Sequence, residues 1–147
     1  MRQILKRYFR GFTLIELMIV ISIISILASI LVPNFMKARA QSQFVACLSN
    51  CKNMGTALEM YSTDNEGHYP IEAGAPGLER IAPGYISSVP TCQSAGFDTY
   101  SESYEAFMNP DAYTFFCTGA NHVELETLPD GQDWPQYTSK FGLAARP

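Results

Sequence analysis

The sequence predicts an α+β fold: a long N-terminal helix, apolar in its first half and amphipathic in its second, packed on a small antiparallel β-sheet. Three observations carry this reading. Residues 12–32 form a nearly unbroken apolar run. Residues 34–63 place apolar side chains at helical spacing. The last third holds short runs rich in aromatic and β-branched residues, separated by turn formers. Of the 147 residues, 115 follow the apolar run, enough for one small core. The expected organisation is a basic segment 1–11, a membrane helix 12–33, an amphipathic helix 34–63, and a β-domain 64–147 whose first part, 64–91, is loop.

Charge is divided sharply along the chain. Residues 1–11 hold Arg2, Lys6, Arg7 and Arg10 with no acid and carry +4, whereas the remainder carries −8. The acidic remainder has no basic patch of the kind nucleic-acid binding requires, so no nucleic-acid partner is expected. No GxSxG, HExxH, P-loop or dinucleotide fingerprint is present, and the chain does not read as an enzyme.

Phe12 to Val32 is 21 residues, a helix of about 31 Å, which matches a hydrocarbon core. Ser22, Ser25 and Ser29 interrupt it and are satisfied by bonding back to the helix's own carbonyls. The run exceeds the apolar stretch of a secretory signal peptide, and no small-residue cleavage site precedes Pro33. The basic N-terminus favours a cytoplasmic start and an extracytoplasmic C-terminal domain.

One carboxylate, Glu16, lies inside this run. Thr13-Leu14-Ile15-Glu16 matches the capping box, in which Thr and Glu satisfy the first free N–H groups of a helix. A neutral Gln or Ser would cap at lower cost in lipid. An ionisable residue within a membrane segment is a functional candidate.

Beyond Pro33 the helical pattern resumes with Phe44, Leu48, Cys51, Leu58 and Tyr61, flanked by Cys47, Met54 and Ala57. This makes one apolar stripe able to lie on a sheet. Pro33 lacks an N–H and is expected to kink the helix rather than end it. Turn formers at Thr63 to Gly67 end it. Residues 71–90 read as loop, with a short helix around Leu78 to Ile81. Strands are expected at Thr99–Phe107, Ala112–Thr118 and His122–Thr127, as an antiparallel meander with turns at Asn109-Pro110-Asp111 and Gly119-Ala120-Asn121. The tail from Pro129 carries turn chemistry, with Trp134 and Tyr137 as aromatic anchors.

Four cysteines, Cys47, Cys51, Cys92 and Cys117, allow three fully paired connectivities. No CxxC occurs, and His68 and His122 lack ligand spacing, so neither a zinc site nor any cofactor is expected. Outside the cytoplasm a disulfide is the default. The expected bridge is Cys92–Cys117, closing a loop of about 25 residues and contributing roughly 3–4 kcal/mol. Cys47 and Cys51 read as buried thiols, with a bridge from one of them to the sheet left open.

Gly11-Phe12-Thr13-Leu14-Ile15-Glu16, continuing through Leu17-Met18-Ile19-Val20 to Pro33, resembles the processing site of type IV prepilins and type II secretion pseudopilins. The run from Thr56 to Pro70, with its ALEMY, DN and YP elements, is similar to the helix end of major pseudopilins and some pilins. The resemblance implies a pilin-like fold and cleavage between Gly11 and Phe12 by a membrane prepilin peptidase. It further implies N-methylation of Phe12 and pairing of the new Phe12 amine with Glu16 of a neighbouring subunit.

The implied partners are copies of the chain and other pilins or pseudopilins, a membrane platform protein, an assembly ATPase system, and lipid before assembly. The implied destination is an extracellular pilus or a periplasmic pseudopilus. Ser25 stands where many members have glycine, which bears on how readily the helix loosens between Ser25 and Pro33. Some pseudopilins bind Ca²⁺ in a C-terminal loop. Asp130 and Asp133 offer two carboxylates there, against the 6 to 8 oxygens such an ion takes. The ALEMY run leans towards a pseudopilin and the Cys92, Cys117 pair towards a pilin. The competing reading is a single-pass membrane-anchored extracytoplasmic binding module, which needs no cleavage at Gly11.

Overall fold

The computed structural model describes residues 11–109, 111–119, 121–122 and 135–144. A single helix, α1 (Leu14–Asp64), is followed by a five-residue helix, α2 (Ala75–Glu79), a 3₁₀ turn (Ser101–Ser103), and strands β1 (Glu105–Met108), β2 (Asp111–Phe116), β3 (Gln136–Thr138) and β4 (Gly142–Ala144). The four strands form one antiparallel sheet in the order β1-β2-β3-β4. This is the expected α+β arrangement. The chain divides into two compact units, residues 1–36 and 37–147.

In the second unit α1 buries Cys47, Cys51, Met54, Gly55, Ala57, Leu58 and Ser62. The seam therefore runs through Cys47, Cys51, Met54 and Leu58, while Phe44, Leu48 and Tyr61, expected on it, sit half-buried at its margins. It is rotated because residues 47, 51, 54, 58 and 62 follow the 3.6-residue period more closely and carry smaller side chains opposite bulky rings. α1 ends where expected: Glu66 and Gly67 adopt left-handed backbone, and the Gly67 N–H returns to the Ser62 carbonyl at 2.9 Å.

β2 alternates as a half-buried strand should, with Tyr113 and Phe115 buried and Thr114 and Phe116 half-buried between them. Phe115 faces Tyr137 across β2 and β3, and their rings stack at 5.6 Å. Tyr113 lies parallel to both Phe115 and Tyr137. It also ties sheet to helix, its hydroxyl donating to the Gly55 carbonyl at 3.2 Å and to Glu59 Oε1 at 3.1 Å. Side chains of α1 also hold the long connection: Asn50 Nδ2 donates to the Thr91 carbonyl and Gln43 Nε2 to the Gln93 carbonyl. Leu78 and Ile81 are buried in the same core as Tyr100 and Tyr104.

Several expectations need correction. The first strand starts at Glu105, not Thr99, because the Asp98 carboxylate accepts the N–H groups of Tyr100 and Ser101 and turns the chain into a 3₁₀ segment. The short helix lies at Ala75–Glu79, ahead of the expected Leu78 to Ile81. The tail contributes β3 and β4 rather than turns alone, with Tyr137 inside β3. His122 sits in a turn, and the rest of the strand expected at His122–Thr127, with Trp134, Asp130 and Asp133, lies outside the described residues. All four cysteines are free thiols and all are buried, so the Cys92–Cys117 bridge is not formed here.

Two expected outcomes follow from this packing. A Cβ at Gly55 meets the Tyr137 ring. Gly55→Ala should therefore destabilise the domain by about 1–2 kcal/mol, overpacking outweighing about 1 kcal/mol of helix propensity. Thermal unfolding measures this, and Tyr137→Leu in the same chain should recover part of the loss.

The second concerns alkali. Burial, then the Glu59 carboxylate, pushes Tyr69 up to about 12. Burial raises Tyr100, Tyr104 and Tyr113 further. Folded phenols hold their protons more tightly than unfolded ones, so stability is full below about pH 10 and falls as pH rises through the folded values. Tyrosinate absorbance above that of the exposed tyrosines should appear together with loss of circular dichroism. Full ionisation near pH 10 in a folded chain would contradict it.

Candidate functional site

Among the described residues the apolar side chains in the first half of α1 are exposed. Every residue from Gly11 to Arg39 is exposed, and the large apolar side chains between Phe12 and Met36 include Leu14 at 76% and Leu31 at 71%. Among the described residues this is the one helix long and apolar enough to cross a membrane. It is apolar around its whole circumference, as a helix meant for surroundings other than water must be. Its polar side chains are satisfied locally: Ser22 Oγ donates to the Met18 carbonyl, Ser25 Oγ to Ile21, Ser29 Oγ to Ile26 and Asn34 Nδ2 to Ile30, at 2.7–3.1 Å. α1 passes through Pro33 without a break in its assignment.

The start of the helix is built by Thr13 and Glu16. Glu16 Oε2 accepts from the Thr13 N–H at 2.9 Å and from its hydroxyl at 2.7 Å, and the Glu16 N–H donates back to Thr13 Oγ1 at 3.3 Å. This is the reciprocal capping box expected from the residues. It occupies one carboxylate oxygen only, and Oε1 has no hydrogen-bond partner among the described residues. Gly11 and Phe12 precede the helix in non-helical, exposed backbone, and a side chain at Gly11 would meet open space among the described residues beyond its chain neighbours. The Gly11–Phe12 peptide bond is thus outside the hydrogen-bonded helix. Residues 1–10 lie outside the described residues.

A second cluster was not legible in the spacing. Cys47 of α1, Cys92 of the long connection, Cys117 just after β2 and His122 bring their ligand atoms within 4.8 Å of one another, all four residues being buried. Local sequence carries no signal for it, because the separations of 45, 25 and 5 residues match no ligand motif. Only the fold brings these positions together.

The comparisons with known proteins bear on the N-terminal segment and on the whole chain. The family profile described as "Prokaryotic N-terminal methylation motif" matches residues 6–32. The chain is 34% identical over 140 residues to the type II secretion system core protein G of Escherichia coli K12, covering 85% of this chain and 90% of that one. It is 39% identical over 69 residues to core protein G of Pectobacterium carotovorum, covering 47% and 44%. It is 47% identical over 57 residues to the type IV major pilin protein PilA of Myxococcus xanthus, covering 39% and 26%. No solved structure matches. An apolar exposed helix with a capped glutamate, a small antiparallel sheet and near full-length similarity to a core protein G together place this chain in the family of type IV pilins and type II secretion pseudopilins.

Proposed function

We propose that the chain is a filament subunit of the pseudopilus kind, cut between Gly11 and Phe12, methylated at Phe12 and assembled through the first half of α1. The observation that carries this is the alignment with core protein G, which runs through 140 residues and 90% of that protein. The PilA match is confined to 57 residues, 39% of this chain and 26% of that protein, so it carries less of the chain. A type IV pilus is the second reading, favoured by the higher identity of that shorter match.

Assembly is a problem of covering apolar surface. In the membrane, lipid covers the helix; in a filament, neighbouring copies of the same helix do so. The prepilin peptidase acts on the exposed Gly11–Phe12 peptide at the cytoplasmic face, and a platform protein with its ATPase moves processed subunits out of the bilayer. The orientation follows from the basic residues ahead of the helix. The role is assembly rather than catalysis.

Cleavage changes the charge at one atom. The Phe12 nitrogen is a neutral amide before the cut and an amine, largely cationic at neutral pH, after it. Glu16 keeps its cap through Oε2 and offers Oε1 to the Phe12 cation of a neighbouring subunit. Each charge compensates the other in a medium where an unpaired one is costly. Because the two charges lie at fixed positions on identical helices, their pairing sets the axial register. Pro33 supplies the point at which the helix bends during packing.

Mass spectrometry of the chain co-expressed with a prepilin peptidase should find an N-terminus at Phe12 carrying one added methyl group. An uncut chain would favour the simple membrane anchor. Glu16→Gln retains a capping acceptor and removes only the charge. It should leave cleavage and helix content intact while reducing filament yield by at least about tenfold, the equivalent of about 1.4 kcal/mol. Wild-type filament yield would exclude the pairing role. Deletion of the chromosomal copy separates the two readings: loss of protein secretion without loss of surface fibres identifies a pseudopilus, and loss of fibres a pilus.

A further inference from the structure

We propose that Cys47, Cys92, Cys117 and His122 form a structural Zn²⁺ site that fastens the long helix to the sheet and to the connection between them. The donor set is three thiols and one imidazole, the Cys₃His set of closed structural zinc sites. Its atoms already stand near tetrahedral spacing. Cys92 Sγ and Cys117 Sγ lie 3.8 and 4.0 Å from His122 Nε2. A tetrahedron with ordinary Zn–S and Zn–N bonds has edges of about 3.6–3.8 Å. All four ligand atoms fall within 4.8 Å of one another, so closing on the ion takes shifts of well under about 1 Å per atom.

The sulfurs are neutral thiols as they stand, and polar groups are placed around them. The Tyr100 hydroxyl lies 2.9 Å from Cys47 Sγ and the Thr99 hydroxyl 3.0 Å from Cys117 Sγ. Asn121 Nδ2 donates to Cys117 Sγ at 3.7 Å. Burial raises the Cys92 thiol, and the backbone N–H groups of Ala95 and Ser94 offset part of that, in a turn closed by Gly96 N–H on the Cys92 carbonyl at 2.7 Å. Three thiolates around Zn²⁺ leave one net negative charge, and these donors spread it over hydroxyl, amide and backbone groups. Such outer partners orient metal ligands and tune their affinity. The His122 ring packs in a T-shaped contact with Phe44, with centroids 5.3 Å apart. Cys51 lies next along α1 but directs its sulfur towards the Pro135 carbonyl and takes no part.

The ligands come from α1, the long connection, the end of β2 and the turn beyond it. One ion therefore joins segments up to 75 residues apart in the chain. It also occupies the sulfurs that an oxidising compartment would otherwise join. A zinc staple and a disulfide are thus alternative ways for this small domain to close the same contact, and they exclude each other.

The test uses the full-length chain purified in detergent from membranes, with total metal measured. About one Zn²⁺ per chain is expected. Replacement by Co²⁺ should give a thiolate charge-transfer band with intense visible d–d bands of a tetrahedral site. Cys117→Ser should lower Zn²⁺ affinity more than about 100-fold and Thr99→Val about 10- to 100-fold, the cost of an outer partner. His122→Cys keeps four donors and should keep the ion, with the Co²⁺ bands shifted by the added thiolate, a response that a misfolded chain would not give. Cys51→Ala should leave binding unchanged. A folded chain without zinc, copper or iron in its place, or a disulfide among Cys47, Cys92 and Cys117 in non-reducing peptide mapping, would overturn the site.

Discussion

The structure of the domain depends on the seam between the second half of α1 and β2. Small and medium side chains on the helix, Cys47, Cys51, Met54, Gly55 and Leu58, meet the rings of Tyr113, Phe115 and Tyr137. Gly55 lets the helix approach the Tyr137 ring closely, and the Tyr113 hydroxyl reaches its carbonyl across the gap. A short sheet with strands of three to six residues is marginal alone. Packed on this helix it closes a core that also orders the loop before it, through Leu78, Ile81, Tyr100 and Tyr104.

The first half of the same helix obeys the opposite rule. It is apolar on all sides, and its side chains are exposed among the described residues. Its stability in isolation rests on internal hydrogen bonds, including serines returned to their own carbonyls and the Thr13–Glu16 cap. Under the proposed function its apolar surface would be covered by lipid or by other copies. Glu16 fits both settings, because a capping box uses one oxygen of a carboxylate and leaves the other for a second partner.

The thiol cluster is a third kind of constraint. Burial, with the neighbouring thiols, holds these sulfurs neutral: Cys117 is pushed up to about 12 by Cys47 and by burial. Such groups are poor nucleophiles as they stand. A small domain can supplement its core with a covalent or metal cross-link. Here the positions for one converge where helix, sheet and connection meet.

The division between what sequence and tertiary structure decided follows from range. The apolar run, the capping box at Thr13 and Glu16, the helix end at Gly67 and the alternation of β2 are local patterns of period, propensity and turn chemistry. They were legible because neighbouring residues alone determine them. The start of β1 was misread because one side chain, Asp98, redirects two backbone N–H groups and overrides the strand propensity of Thr99 to Tyr104. β3 and β4 were missed because three-residue strands carry too little pattern; pairing of β3 with β2, and of β4 with β3, is what makes them strands. The rotation of the α1 seam depended on which rings lay opposite it. The gathering of Cys47, Cys92, Cys117 and His122 depended on the whole chain path, since no short-range term brings a helix residue to a turn 75 positions away.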